Sequence, residues 1–237
     1  MSNKTKSILL ILMILLVDQL VKIFVKTHFM LGEEVVVAKN WFILHFIENN
    51  GMAFGFEFGN NIGKYFLTIF RTAAIGVLGW YLTKLWKKEL PFGLVASFSL
   101  ILAGAAGNLI DSAFYGLIFN ESHGSVATLF PAGGGYASFL MGRVVDMFYF
   151  PLIEGHFPTW FPLWGSQEFI FFRPVFNVAD ASISVGIVAI FIFYRSYFEE
   201  KKPEMEMTNE VVATDVETKL NEEALAVDEE QQANVLK

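Results

Sequence analysis

Four stretches of the chain are almost unbroken in apolar residues: about Ser7–Lys26, Tyr65–Leu85, Pro91–Ile110 and Val178–Tyr197. A helix of about 20 such residues covers the hydrocarbon core of a bilayer, so each predicts a transmembrane helix. The first follows Lys4 and Lys6 as a cleavable leader would. No small-x-small site comes after it, and Asp18 and Lys22 fall in its second half, so it is expected to remain as a signal anchor.

Between the first two spans the period shortens. Glu34–Ala38 and Trp41–Phe46 are rich in Val, Ile and aromatics and flank Lys39-Asn40, which predicts a short hairpin or small sheet. Such a platform could take an extended peptide by strand addition; the plainer alternative is an amphipathic segment lying on the bilayer. Asn49-Asn50-Gly51 interrupts the pattern, and Met52–Phe58 is apolar again. Later, Gly133-Gly134-Gly135 leads into an aromatic stretch, Phe148–Phe172, with Pro158, Trp160, Pro162 and Trp164. Aromatics at that density are expected at a membrane–water interface.

The expected architecture is an all-α polytopic membrane protein, four transmembrane helices with a small β platform and a long loop on the outer face. Residues 1–197 form the membrane domain, with outer segments 27–64 and 112–176. Residues 198–237 read as an acidic, disordered tail.

Composition agrees: 54% of residues are hydrophobic, 26 are Phe, and the mean hydropathy is +0.47. These values exclude an ordinary soluble domain. The net charge of −7 belongs to the tail, which carries 12 acidic and 4 basic residues from Phe198 onward; residues 1–197 stand at +1. With no cysteine, disulfides, thiolate metal sites and a Cys nucleophile are excluded. His28, His45, His123 and His156 lack ligand spacing, so no metal is expected.

Lysine and arginine cluster at Lys4 and Lys6, at Lys84, Lys87 and Lys88, and at Arg195, Lys201 and Lys202. With four spans these groups share one side, which predicts cytoplasmic termini. Asp111, Asp146 and Asp180 then meet at the outer face, level with Asp18 and Lys22, which lie one helical turn apart. Ionisable groups at a membrane boundary are costly and point to function. Two close carboxylates cannot readily both ionise, so one keeps a proton while the other stays charged, as hydrolysis without a metal requires. A proton-coupled small transporter could use the same aspartates as a relay. Each Asp taken alone could simply cap a helix or pair with Arg71, Arg143 or Arg173.

Five motifs then resemble one family. Phe46, Asn49, Gly51, Ala53 and Phe54 match the FxxNxGxAF pattern of the lipoprotein signal peptidases (signal peptidase II). Gly107-Asn108-Leu109-Ile110-Asp111 is similar to their GNLID, Val144-Val145-Asp146 to their VVD and Phe176-Asn177-Val178-Ala179-Asp180 to their FNVAD. Asp18 and Lys22 match the DxxxK of their first helix. The resemblance implies an aspartic endopeptidase of the bacterial cytoplasmic membrane, multi-pass, with its active site outside. It would remove the signal peptide from lipid-modified prolipoproteins by cutting just before the lipid-bearing cysteine.

On that resemblance Asp146 and Asp180 form the catalytic dyad, and Asn49, Asn108, Asp111 and Asn177 shape or support the site. Asp18 and Lys22 hold the outer helix ends together, and Lys22 is also placed where it could reach a lipid head group. The implied partners are the prolipoprotein substrates and membrane lipids; no cofactor, metal or nucleic acid is called for, and a monomer suffices. Two departures stand out. Ser112 follows GNLID where the family usually has Arg, with Arg143 a conceivable stand-in, and the segments on either side of Asp146 are longer than usual.

Overall fold

The structure, a computed structural model, describes residues 1–39, 41–50, 61–151, 153–156, 159–160, 168–171 and 174–198. Met52–Phe58, the motif residues Gly51, Ala53 and Phe54, the Pro158, Pro162 and Trp164 positions and the tail beyond 198 lie outside the described residues.

Helix α1 (Asn3–His28) opens on Ser2, whose side chain accepts the Thr5 amide at 3.2 Å, and closes with Lys26 and His28 in its last turn. Both ends therefore suit the helix dipole and its orphan backbone groups. Helices α2 (Asn61–Leu85) and α3 (Phe92–Ile110) follow. The latter runs on through a π-helical turn, Asp111–Tyr115, into the single turn α4 (Gly116–Ile118). Among the described residues, three helical stretches are long and apolar enough to cross a membrane: Asn3–His28, Gly63–Leu85 and Phe92–Ile118. The expected fourth stretch forms α5 (Val178–Phe193), apolar but only 16 residues long. A second compact unit begins at Arg195; its described part holds a 3₁₀ turn, Arg195–Tyr197.

The expected hairpin is present as β1 (Glu34–Ala38) and β2 (Phe42–Asn49), antiparallel, with Val35 opposite Leu44. A third strand, β3 (Val144–Tyr149), joins it in the order β1-β2-β3, with Ile47 opposite Asp146 and Asn49 opposite Val144. The sequence pattern did not announce β3, because both of its faces are covered from Val144 to Met147 and alternation vanishes. Strands β4 (Ile153–His156) and β5 (Glu168–Phe171) form a separate antiparallel pair where a membrane-lying aromatic belt was expected.

Small residues decide how the helices meet. A Cβ on Gly104 would stand 2.2 Å from the Ala179 carbonyl oxygen, and one on Gly107 would stand 2.7 Å from Asp18 Oδ2. Only hydrogen at these positions lets α3 touch α5 and α1 together, as close helix contacts in lipid require. Beneath the sheet, Val25, Phe46, Tyr115, Phe119, Val145 and Met147 form a buried cluster that joins α1, the end of α3 and the strands.

The returning segment after α4 completes the helix end. Phe130, Ala137, Leu140 and Gly142 donate their amides to the carbonyls of Ile118, Gly116, Ala113 and Ser112. Helix termini leave such carbonyls without intrahelical partners. The long segment between Asp111 and Asp146 is therefore a cap laid back along its own helix.

Candidate active site

The site is assembled from the end of α3, the strands β2 and β3, the start of α5 and the second half of α1. Asn177 precedes α5 and closes a capping box. Its Oδ1 accepts the Asp180 amide at 2.9 Å, and Asp180 Oδ2 accepts the Asn177 amide at 3.3 Å. This reciprocal pairing satisfies two orphan donors of the helix and fixes the Asp180 rotamer. The bland reading, that Asp180 caps a helix, is thus true, yet only part of what it does.

Asp146 points from β3 toward the same place and is 2% exposed, whereas Asp180 is half-buried. Asn177 Nδ2 donates to Asp146 Oδ1 at 2.6 Å, with the Val145 carbonyl and Asn108 Oδ1 near the same group. Asn49, at the end of β2, donates to Asp146 Oδ2 at 3.4 Å. Asn108 Nδ2 donates to Asp180 Oδ1 at 2.8 Å. Burial, followed by the charge of Asp180, pushes the Asp146 carboxyl up to about 7, against the opposing pull of Lys22, Asn177 and Asn49.

Behind this layer lies a fully buried ion cluster. Lys22 Nζ donates to Asp18 Oδ2 at 2.9 Å, Asp111 Oδ2 at 2.8 Å and Asn108 Oδ1 at 2.8 Å. An ammonium has three donors and no acceptor, so all three are used. The contact also orients Asn108: its oxygen must face the ammonium, which leaves its Nδ2 for Asp180. Asp18 Oδ1 accepts the Ala179 amide at 2.9 Å, in the first turn of α5, and Asp111 Oδ2 accepts the Val145 amide at 3.3 Å, beside Asp146. Each rear carboxylate therefore grips the backbone next to one front carboxylate. Lys22, wholly enclosed by these partners, does not reach a lipid head group.

Every site residue expected from the sequence thus falls in one connected network. Gln19 was missed: its Nε2 donates to Asp111 Oδ1 at 2.9 Å, and its Oε1 accepts from the Tyr115 hydroxyl at 3.2 Å. The available signal was a second polar residue beside Asp18 in an apolar span. Also unforeseen is the pairing of Lys26 with Glu48, joined by Ser122 and by Arg143, which holds Glu121 with both terminal nitrogens at 2.9 Å. Against the cost of burial, Lys26, Arg143 and Ser122 hold the Glu48 carboxyl below its ordinary value. Arg143, a conceivable stand-in for the family's arginine, pairs with these two glutamates. Ser112 is 2% exposed, its Oγ donates to the Asn108 carbonyl at 3.1 Å, and its own carbonyl accepts Gly142.

Chemically, the front layer links two carboxylates, one enclosed and one partly open, through Asn177, which donates to Asp146 and caps the turn that carries Asp180. Such a pair can hold one proton and exchange it with water or with a carbonyl oxygen.

The family described as signal peptidase (SPase) II matches residues 10–196 of this chain. A lipoprotein signal peptidase of Porphyromonas gingivalis is 54% identical over 186 residues, covering 78% of this chain and 80% of that protein. One from Amoebophilus asiaticus is 35% identical over 200 residues, covering 83% and 80%. Among solved structures, a bacterial membrane enzyme superposes with a TM-score of 0.53 at 22% identity over 84% of this chain and 93% of its own, a likeness of fold. The fold, and a match that spans all the motif segments from Asp18 to Asp180, place this multi-pass membrane protein in the signal peptidase II family of aspartic peptidases.

Proposed function

We propose that Asp146 and Asp180 are the acid–base pair with which this membrane endopeptidase removes the signal peptide from lipid-modified prolipoproteins, cutting just before the lipid-bearing cysteine. The observation that carries this reading is the double role of Asn177, bonded at once to Asp146 Oδ1 and to the Asp180 amide. The names of the relatives support the substrate class; the transporter alternative has no such support.

In the mechanism, the enclosed Asp146 holds the proton and the more open Asp180 is charged. Asp180 takes a proton from water, whose oxygen attacks the scissile carbonyl carbon while Asp146 donates to the carbonyl oxygen. As the tetrahedral intermediate collapses, the C–N bond breaks. Asp180 returns its proton to the leaving nitrogen, and Asp146 recovers its own from the hydroxyl that becomes carbonyl again. Asn108, Asn177 and Asn49 hold the two carboxylates, and Lys22, Asp18 and Asp111 hold their backbones. No metal or cofactor enters these steps, and one chain supplies every group named.

In this reading α5 is a fourth span in the bacterial cytoplasmic membrane, with both termini inside. The Lys and Arg bias supports that orientation. The dyad then lies at the outer surface, among lipids. Burying acyl chains contributes about 0.8 kcal/mol per CH₂, so a lipid on the substrate sets the depth of its cysteine.

Purified protein is to be incubated with lipidated precursor, with the same precursor bearing a free thiol, and beside its Asp146→Asn and Asp180→Asn variants. The lipidated form should be cut far faster, and each variant should lose about 10²–10⁴-fold or more while staying folded. A variant retaining above about a tenth of the parental rate, or equal cleavage of both precursors, would falsify the reading.

A further inference from the structure

Helix α2 is exposed along most of its surface, with Phe66, Ile69, Phe70, Val77 and Trp80 each more than 60% exposed. Its covered residues recur with helical spacing: Lys64, Thr68, Arg71, Ile75, Leu78 and Leu82. An arginine therefore stands on the inward stripe of a membrane-crossing helix, seven residues, or about 10 Å, below Lys64. Arginine at such a position is costly and faces a polar interior or a functional site.

Lys64 fixes which end is which. Its Nζ donates to Asn50 Oδ1 at 3.1 Å and to the Met141 carbonyl at 2.9 Å, so the start of α2 is tied to the end of β2 and to the segment leading into β3. Side chains on a helix lean toward its N-terminus, so Arg71 reaches back up toward the strand that carries Asp146. Its half-buried guanidinium is within electrostatic range of both Asp180 and Asp146.

The end of α3, by contrast, carries a buried serine, Ser112, directly after Asp111. A Cβ on Gly142 would stand 2.1 Å from the Asp111 carbonyl oxygen and 3.1 Å from that of Ser112, so the returning segment is pressed onto this turn. Ser112 is covered by this segment, and α2 carries an arginine on its inward stripe.

We propose that Arg71 is a substrate-positioning residue, donating N–H groups to carbonyl oxygens of the lipid-bearing end of the substrate as it lies on the dyad. The guanidinium offers planar, charge-assisted donors at membrane depth, where a lipid-anchored peptide presents carbonyls and little water competes. The inference rests on the peptidase reading above.

The test uses the full chain and lipidated precursor. Arg71→Gln should raise KM about tenfold or more, as loss of a charge-assisted hydrogen bond does, with kcat within about threefold. Arg71→Lys should recover part of the loss, and it carries the test if the glutamine variant does not fold. A precursor whose lipid lacks ester carbonyls separates the sources: a penalty that disappears assigns the ester oxygens, and one that persists assigns the peptide. Unchanged KM or a loss confined to kcat overturns the proposal. Asp180→Asn run in parallel keeps the two readings apart: its inactivity beside an unchanged KM in Arg71→Gln sinks this inference alone, while its activity sinks the dyad.

Discussion

Asn177 Nδ2 lies 2.6 Å from Asp146 Oδ1, and the Oδ1 of the same amide accepts the Asp180 backbone N–H at 2.9 Å. One side chain thus locks a strand to a helix start and sets the spacing of two carboxylates. An amide is suited to this because it carries donor and acceptor at once.

Serine at this position would still cap α5 but could not donate to Asp146 in the same way. The Asn177 bond favours charged Asp146, so removing it raises the carboxyl further above about 7. Parental activity should fall as pH rises through about 7, as the shared proton is lost. In Asn177→Ser that alkaline limb should move to higher pH, as read from kcat profiles; an unmoved or lowered limb would break the link between Asn177 and Asp146.

The same shift has a consequence for stability. Between the ordinary value of 3.8 and about 7, folded Asp146 keeps a proton that the unfolded chain has released. Folding stability from this group is complete below that window and declines as pH rises through it. Thermal unfolding in detergent should show the decline in the parent and a flatter profile in Asp146→Asn. Identical profiles would mean that Asp146 titrates normally.

Lys22→Met leaves Asp18 and Asp111 buried without their shared cation. Breaking a buried ion pair costs about 3–5 kcal/mol, so the unfolding temperature should fall well below that of the parent. Replacing Asp18 and Asp111 by Asn in the same chain should recover part of the stability but little activity, because Asn108 loses the ammonium that orients it. Full recovery of cleavage would reduce this cluster to a structural role.

Topology can be read with single cysteines, since the chain has none of its own. A thiol at Gly133 should label from outside and one in the tail only after permeabilisation. Labelling of both from one side would leave α5 outside the count of spans and put the dyad on the wrong face.

Much of this protein was legible in the chain itself. Apolar length alone placed α1, α2 and α3 to within a few residues, because lipid demands long runs whose backbone bonds close within the helix. The hairpin β1–β2 followed from alternation, and the motif residues Asp18, Lys22, Asn49, Asn108, Asp111, Asp146, Asn177 and Asp180 all fall in one network. Tertiary structure alone decided what sequence spacing cannot encode. Strand β3 is covered on both faces and carries no period; the Asp146 side chain is placed by pairing with β2, about 100 residues away. Lys22 could have turned to lipid from its sequence position, and the approach of α3, permitted by Gly107, added Asn108 and Asp111 to the acceptor that Asp18 supplies from the same helix. Arg71, Arg143 and Arg173 were candidates as partners of the aspartates, and the last lies outside the described residues. Glu48 and Glu121 claim Arg143 through close ion pairs, and Arg71 stands on the inward stripe of α2, since charge finds its partner by distance in space.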